Sequence, residues 1–345
     1  DERGDLFTGD NNSDGGDQAR WVYVVPGSDT GWRHHYQYVN WPNSRGPWNA
    51  EGQWRPYHED QPWFLTPPIA NVGSGPSGLA RVPDQGWGDL AGAFLLCDFR
   101  GGAQWSSIMG VRHEPKGAGF ALVEAEPLVR DLLPTDCDFG PDGQLYVSDW
   151  VSGWGMTGKG RVFQLKPEGH GDDAAVQEVE ALLREGMRAR EPRELQRLLL
   201  HASFDVRQEA QLELVARALA APTGSEELRE CVGLLLEVAR EATDYPLGRL
   251  HGIWGAQAVA RQRPLVSGIG GTLVPLLEDA DPEVRVQALR ALGELGEQAA
   301  APFIQRALLA DARRERAAAL RALAMAPGPS LSAEVLQRVE TVIEE

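Results

Sequence analysis

The sequence of 345 residues is poor in cysteine, in lysine and in positive charge overall. Its three cysteines show neither the CxxC nor the CxxCH spacing that a zinc ribbon or a covalently attached haem requires. Only three lysines occur, and 33 basic residues against 50 acidic ones give a net charge of −17. Because nucleic acids and anionic lipids are bound by positive surfaces, this balance argues against both as main partners.

Long apolar runs and common catalytic motifs are also missing. No run reaches the roughly 18 apolar residues of a membrane helix, so no membrane span is expected. The HExxH pattern of zinc proteases and the GxSxG pattern of serine hydrolases do not occur. The chain begins at Asp1 without a signal peptide. We expect either that processing has removed such a segment or that the chain is a fragment.

Composition divides the chain near residue 170. Ten of the eleven tryptophans lie at or before Trp154, and glycine is concentrated in the same half. The polar, glycine-containing stretch 168–173 is typical of a linker. The sequence therefore predicts a first domain at 1–167 and a second domain at 174–345.

Short apolar runs separated by Gly, Pro, Asn and Asp predict β-strands in the first half. These runs fall into three groups, at 6–25, 79–129 and 135–165. Many short strands without helical periodicity are typical of a sandwich or a propeller. Cys97 and Cys137 both fall in this half, where they could form a disulfide or remain buried thiols.

The second half has helical apolar spacing and is rich in Ala, Leu, Glu and Arg. It also repeats. When Arg207, His251, Arg285 and Arg316 are taken as equivalent, the spacings are 44, 34 and 31 residues. Such periods are typical of helix-pair solenoids, and the pattern resembles HEAT repeats. Asp281, which is followed by proline, is predicted to be the N-cap of one repeat helix.

The strongest local signal for a site is Gly-Asp-Asn-Asn-Ser-Asp-Gly-Gly-Asp at 9–17. Oxygen-bearing side chains on alternate residues, with glycine at the sharp turn, can surround a hard cation. Trp21 stands where an EF-hand requires glutamate, which excludes that motif. The segment is either a calcium- or ligand-binding loop or a turn whose side chains cap their own backbone. The candidate metal ligands are Asp10, Asn11, Asn12, Ser13, Asp14 and Asp17.

A second acidic cluster surrounds a Gly-Pro-Asp-Gly turn at 140–143. Asp136 and Asp138 alternate, so they share one face if the segment is extended. They are candidate site residues, and the alternative is that they belong to the turn. Turn chemistry is the favoured interpretation for Asp142.

The segments 4–20, 75–79, 137–150 and 155–161 carry a family resemblance, most clearly through the 9–17 string and Cys-Asp-Phe-Gly-Pro-Asp-Gly at 137–143. They resemble the large bacterial envelope proteins known as membrane-bound dehydrogenases or PVC-type haem-binding proteins. The resemblance implies a β + α multidomain fold. Residues 1–167 would be the C-terminal blades of a six-bladed, sugar dehydrogenase-like β-propeller, and an α-helical HEAT-repeat solenoid would follow. It also implies a periplasmic or cell-envelope location.

That propeller is in turn similar to the sugar dehydrogenases that use calcium and pyrroloquinoline quinone. By this resemblance the loop at 10–17 forms the shelf for both cofactors, with Asn11, Asn12 and Ser13 at the calcium-binding positions and Arg100 in place of a quinone-binding lysine. The implied reaction is hydride abstraction from a sugar or alcohol carbon, assisted by a histidine base. That base is expected upstream of residue 1, so the catalytic residues are unknown. Haem c is not in this chain, and electrons would leave through a separate cytochrome module.

An oxidoreductase-like envelope protein with a HEAT scaffold is therefore the leading expectation. Leu133 and Thr135 stand where the resemblance places quinone-binding arginines. Their presence favours the alternative, a non-catalytic propeller–HEAT scaffold that binds glycans or proteins. A sugar or glycan ligand and a protein partner for the HEAT repeats are expected under both interpretations.

Overall fold

A computed structural model describes residues 1–12, 17–30, 51–61, 63, 65–264, 266, 268–325 and 336–337. The chain divides into two compact units, Arg3–Gln177 and Glu178–Glu345. The first is built mainly of β-sheets and the second of helices. None of the described helices is long and apolar enough to cross a bilayer.

The described strands of the first unit form three antiparallel sheets. The first sheet contains β1 (Phe7–Asp10), β2 (Arg20–Tyr23) and β3 (Ala70–Asn71). The second contains β4 (Pro76–Arg81), β5 (Phe94–Asp98), β6 (Ser107–Lys116) and β7 (Gly119–Arg130). The third contains β8 (Pro134–Phe139), β9 (Leu145–Asp149) and β10 (Arg161–Leu165). Each sheet contains one of the three groups of strands expected from the sequence, and the first sheet also includes β3, which lies outside those groups.

Strand β5 is buried on both faces because the second sheet lies between the other two. Phe94 and Leu96 pack into a core shared with Trp21 of β2. Cys97 points the other way, into a core shared with Val147 of β9. Alternate residues of a strand face opposite sides of its sheet, and residues 94–97 of β5 are accordingly all apolar, while the strand ends at the buried Asp98.

The core between the first two sheets contains a histidine. Trp21 Nε1 donates a hydrogen bond to His113 Nδ1 at 3.3 Å, and the His113 ring lies against Phe7 and Phe94. Burial lowers the pKa of His113 to about 4, so the imidazole is neutral at pH 7 and can accept this bond.

The first strands of the three sheets adjoin one another through glycines. A Cβ atom on Gly78 of β4 would lie 2.5 Å from the Cα atom of Asp136 of β8. In the same way, a Cβ atom on Gly9 of β1 would lie 2.5 Å from the Cβ atom of Pro76 of β4. Only glycine leaves room for contacts as close as these.

Cys97 and Cys137 are close neighbours between the second and third sheets, and both are buried free thiols. The Cys137 thiol donates to the carbonyl oxygen of Leu95 at 3.8 Å. The adjacent Cys137 thiol and burial together raise the pKa of Cys97. Of the two alternatives that the sequence left open, the structure has the buried thiols.

The predicted linker at 168–173 is attached to the first unit by His170. This residue begins a short 3-10 helix, His170–Asp172. Its buried ring nitrogens lie 3.2 Å from the carbonyl oxygen of Gly86 and 3.0 Å from that of Asp142. Helix α1 then begins at Ala174, so the boundary between the units falls in its first turn.

The second unit is a succession of helices around one continuous apolar core. They are α1 (Ala174–Glu185), α2 (Pro192–Leu198), α3 (Phe204–Ala220), α4 (Glu226–Glu241), α5 (Pro246–Gln262), α6 (Ile269–Leu273), α7 (Pro282–Leu295), α8 (Ala301–Ala307) and α9 (Arg313–Met325). Helices α3, α5, α7 and α9 pack against one another in that order, so they form one row. Such stacking is the architecture of an α-solenoid.

A buried or half-buried arginine at the fourth residue of each helix in this row marks the repeat. Arg207, Arg285 and Arg316 each donate from Nη1 to the carbonyl oxygens of the residues six and five positions earlier. In α5 the fourth residue is Arg249, which donates to the Ala239 carbonyl oxygen at 2.9 Å and pairs with Asp279. The predicted equivalence of His251 with the three arginines was therefore wrong, because equivalence is set by the start of the helix.

The predicted N-cap of α7 is confirmed. The Asp281 carboxylate accepts hydrogen bonds from the backbone N–H groups of Glu283 at 2.7 Å and Val284 at 3.3 Å, and Pro282 is the first helical residue. The cap satisfies N–H groups that have no partner within the helix.

Replacing Arg316 by methionine should lower the free energy of unfolding by about 2–4 kcal/mol, because the carbonyl groups of Ala310 and Asp311 lose a charged donor. Urea unfolding followed by circular dichroism at 222 nm measures the change. Arg313→Met is the matched control, since this exposed arginine begins the same helix. Equal destabilisation by both variants would contradict the proposed role of the buried arginine.

Candidate functional site

A buried carboxylate at the end of β5 organises one edge of the second sheet. Asp98 Oδ1 accepts hydrogen bonds from the N–H groups of Ser74 at 2.7 Å and Gly75 at 2.8 Å, just before β4 begins. Its Oδ2 accepts from Nε of Arg100 at 2.6 Å, and the Asp98 side chain is 1% exposed. One side chain thus fixes both the loop that enters the sheet and the loop that leaves β5.

The third sheet repeats this arrangement at the end of β9. Asp149 Oδ1 accepts from the N–H groups of Leu133 at 2.9 Å and Val151 at 3.0 Å, and its Oδ2 accepts from Arg161 Nε at 2.9 Å. Burial opposes the charge on Asp149, but the bonds from Leu133, Arg161 and Val151 outweigh it and lower the pKa of the carboxyl. The two sheets are therefore built on one plan.

The loops that leave β5 and β9 meet. We call residues 99–106 and 150–160, which form these loops, the loop face. The Gly153 N–H group donates to the Gly101 carbonyl oxygen at 3.1 Å. The rings of Phe99 and Trp154 pack edge to face with their centroids 5.0 Å apart. These contacts bring the ends of the second and third sheets into one surface.

Two tryptophans of the loop face are exposed to solvent, Trp154 by 76% and Trp105 by 68%. The Trp154 ring lies against the backbone of Gly101, and the Trp105 ring lies next to Gly102. Large exposed aromatic side chains near one another are typical of binding surfaces. Sequence reasoning missed this pair, although Trp154 lies between two glycines and Trp105 follows a Gly-Gly step.

The predicted cation loop begins with an ion pair. Asp10 ends β1, and its Oδ2 lies 2.7 Å from Arg20 Nη2, with both side chains largely buried. The register of the first sheet places the two residues directly opposite each other. Because Arg20 already neutralises the Asp10 carboxylate, a calcium ion would have to compete with the guanidinium group for this oxygen ligand. The described residues of the loop therefore fit an ion pair better than a calcium site.

The remaining predicted ligands differ in their surroundings. Asn11 is exposed, Asn12 is half-buried and Asp17 is buried, while Ser13 and Asp14 lie outside the described residues. Within the part of the chain that the structure describes, no group of three His, Cys, Asp or Glu side chains could hold a metal ion.

The structure brings Asp10 and Arg100 to the same end of the β unit. Gly9 packs against Pro76, Pro76 pairs with Asp98, and Asp98 binds Arg100. The end of β1 therefore adjoins the edge from which the loop face extends.

The second acidic cluster divides into site candidates and a turn residue. Asp136 and Asp138 are both exposed on β8, with a buried residue between them, as alternation in a strand predicts. Asp142 is buried; it accepts from the N–H group of Gln144 at 3.1 Å and from the Tyr146 hydroxyl at 2.8 Å. These hydrogen bonds agree with the prediction that Asp142 is a turn residue.

Comparison with known proteins bears on the helical unit. A family model described as HEAT repeats matches residues 268–339, which include the row helices α7 and α9. The HEAT-type repeats predicted from the sequence are thus confirmed for this segment, and they indicate a helical repeat scaffold. No curated protein matches the chain.

Asp149→Asn should destabilise the first unit by about 2–3 kcal/mol at pH 7, because an amide cannot neutralise Arg161 or accept as strongly from two N–H groups. A lowered pKa in the folded state means that the charge stabilises the fold above the ordinary pKa of 3.8. This contribution is lost as the pH falls through the folded-state pKa.

The difference in the free energy of unfolding between wild type and Asp149→Asn should therefore become smaller in acid. Urea unfolding at several pH values, followed by tryptophan fluorescence, measures it. Asp138→Asn on the exposed face of β8 is the matched control and should be nearly neutral. If the loss of stability in Asp149→Asn stayed constant down to low pH, the stabilising role assigned to the ionised Asp149 carboxylate would be contradicted.

Proposed function

We propose that this protein is a non-catalytic binding scaffold whose loop face binds a glycan and whose HEAT repeats hold a protein partner. The observation that carries the proposal is the pair of exposed tryptophans, Trp105 and Trp154, on the joined loops of two sheets. An envelope location, implied by the family resemblance, belongs to the same proposal.

The chemistry of tryptophan supports a sugar ligand. Its flat apolar face stacks on the C–H-rich face of a sugar ring, and its indole N–H group can donate to a hydroxyl oxygen. Trp154 is supported by the Phe99 ring and the Gly101 backbone, so its orientation is partly fixed before a ligand arrives. A side chain that is ordered in advance loses less entropy on binding.

The helical unit supports the second half of the proposal. HEAT repeats form extended surfaces that commonly mediate protein interactions. The row α3, α5, α7 and α9 is tied together by polar contacts between neighbouring helices, such as Trp254 Nε1 to Gln287 Oε1 at 3.0 Å. A continuous, rigid row of this kind suits a scaffold.

Trp105→Ala and Trp154→Ala should each weaken glycan binding about tenfold, which corresponds to about 1.4 kcal/mol for one stacked ring. Isothermal titration calorimetry with cellohexaose, chitohexaose and hexagalacturonate provides the measurement. Trp254→Phe in the helical unit is the control and should leave the dissociation constant unchanged. The proposal fails if none of the three hexasaccharides binds, or if binding survives both alanine substitutions intact.

The oxidoreductase is a second candidate, which the common location of Arg100 and Asp10 favours. By the resemblance Arg100 falls where a quinone-binding lysine would sit, and its terminal nitrogens could receive a carboxylate of pyrroloquinoline quinone. The Asp10–Arg20 pair weighs against calcium at the described part of the loop.

If this candidate is right, millimolar calcium should raise the melting temperature of the protein, and Asp14→Asn should remove the increase. Quinone and calcium together should then support reduction of an artificial electron acceptor by aldoses. Magnesium at the same concentration serves as the control for ionic strength. An unchanged melting temperature together with no reduction would reject the candidate.

A further inference from the structure

We propose that the loop face prefers glycans that carry carboxylates, and that Arg100 within it and Arg161 directly after it are the residues that recognise them. The inference rests on the glycan-binding function proposed above. It identifies the chemical class of the ligand and two recognition residues.

Arg100 presents its guanidinium group in a fixed orientation. Its Nε atom donates to the buried Asp98 carboxylate at 2.6 Å, while its side chain remains 42% exposed. The two terminal nitrogens have no hydrogen bond to any residue that the structure describes. A guanidinium group held at Nε still offers two parallel N–H donors at its far end, the geometry that binds a carboxylate through both oxygens.

Arg161 repeats this arrangement in the third sheet. Its Nε atom donates to the buried Asp149 carboxylate at 2.9 Å, and its side chain is 57% exposed. The guanidinium carbon lies 5.0 Å from the centroid of the Phe163 ring, which further fixes its orientation. As with Arg100, the terminal nitrogens have no hydrogen bond among the described residues.

The two guanidinium groups belong to one surface. Asp98 pairs with Pro76 at the start of β4, and Asp149 pairs with Pro134 at the start of β8. The loops that follow these aspartates touch each other, and the exposed Trp154 lies within their contact. A stacked sugar could therefore turn its carboxylate toward one arginine.

The charge of the loop face and of the neighbouring residues 130–133 and 161 fits the proposal. The exposed charged side chains of 99–106, 130–133 and 150–161 are four cations and one anion: Arg100, Arg130, Lys159, Arg161 and Asp131. The chain as a whole has 50 acidic and 33 basic residues, so this excess of cations is local. A buried aspartate offsets the positive charge of each of Arg100 and Arg161. Short-range hydrogen bonds to the ligand should therefore contribute more to its binding than long-range electrostatic attraction.

A direct test compares hexagalacturonate with its fully methyl-esterified form, which has the same sugar backbone but no charge. Isothermal titration calorimetry on the full chain should give a dissociation constant at least tenfold lower for the acid. Arg100→Lys and Arg161→Lys should each reduce this ratio at least threefold. A lysine keeps the charge opposite Asp98 or Asp149, but it cannot also offer two parallel donors. Arg112→Lys, a half-exposed arginine in the middle of β6, is the control and should leave the ratio unchanged.

The outcomes separate this inference from the glycan-binding proposal. Equal binding of acid and ester by the wild-type protein overturns the carboxylate preference and leaves glycan binding in place. An unchanged ratio in both lysine variants overturns the role of the two arginines. If no hexasaccharide binds at all, the glycan-binding proposal falls and this inference falls with it. Should a lysine variant fail to fold by circular dichroism, the wild-type comparison of acid with ester still decides the preference.

Discussion

The β unit depends on compensating a negative charge in its interior. A carboxylate that is 1% exposed would be too costly to bury alone, so Asp98 and Asp149 are each surrounded by two backbone N–H groups and one arginine. The N–H groups belong to the loops around the strand ends, so satisfying the carboxylate also fixes those loops. The location of the loop face is therefore a consequence of folding, and the proposed binding would use contacts that the fold already requires.

The helical unit also compensates buried charges, but there the buried charges are positive. Its buried charges are arginines, and at α3 and α9 the groups that compensate them are carbonyl oxygens of the turn before the helix. Arg207 and Arg316 are 2% and 5% exposed, and each donates to two such carbonyl oxygens. In both units a buried side-chain charge orders the turn beside a regular element.

Local patterns allowed much of the fold to be predicted, whereas most of the site depends on register. Turn residues separated the strand groups, and Asp281 before proline marked a helix start. The ion pair of Asp10 with Arg20 follows from their positions opposite each other in β1 and β2, which no local motif encodes. The assignment of His251 to the repeat position was wrong because it rested on similar residue types. Arg249 is the equivalent residue, since it lies three positions after Pro246, as Arg285 does after Pro282. The equivalence of Asp98 and Asp149 is seen in their contacts, because each carboxylate accepts from two backbone N–H groups and one arginine.

Both candidate functions of the β unit assign a ligand to Arg100. The family resemblance assigns it to a quinone, and the loop face assigns it to a sugar acid, yet both ligands would offer a carboxylate to the same pair of N–H donors. The guanidinium group alone therefore cannot distinguish them. The neighbouring side chains can, because two exposed indole rings suit a flexible, extended ligand, whereas a quinone cofactor held by calcium needs acidic oxygens that are not already paired. Asp10 is paired with Arg20, and Trp105 and Trp154 are open to solvent, so the surroundings of Arg100 favour the sugar.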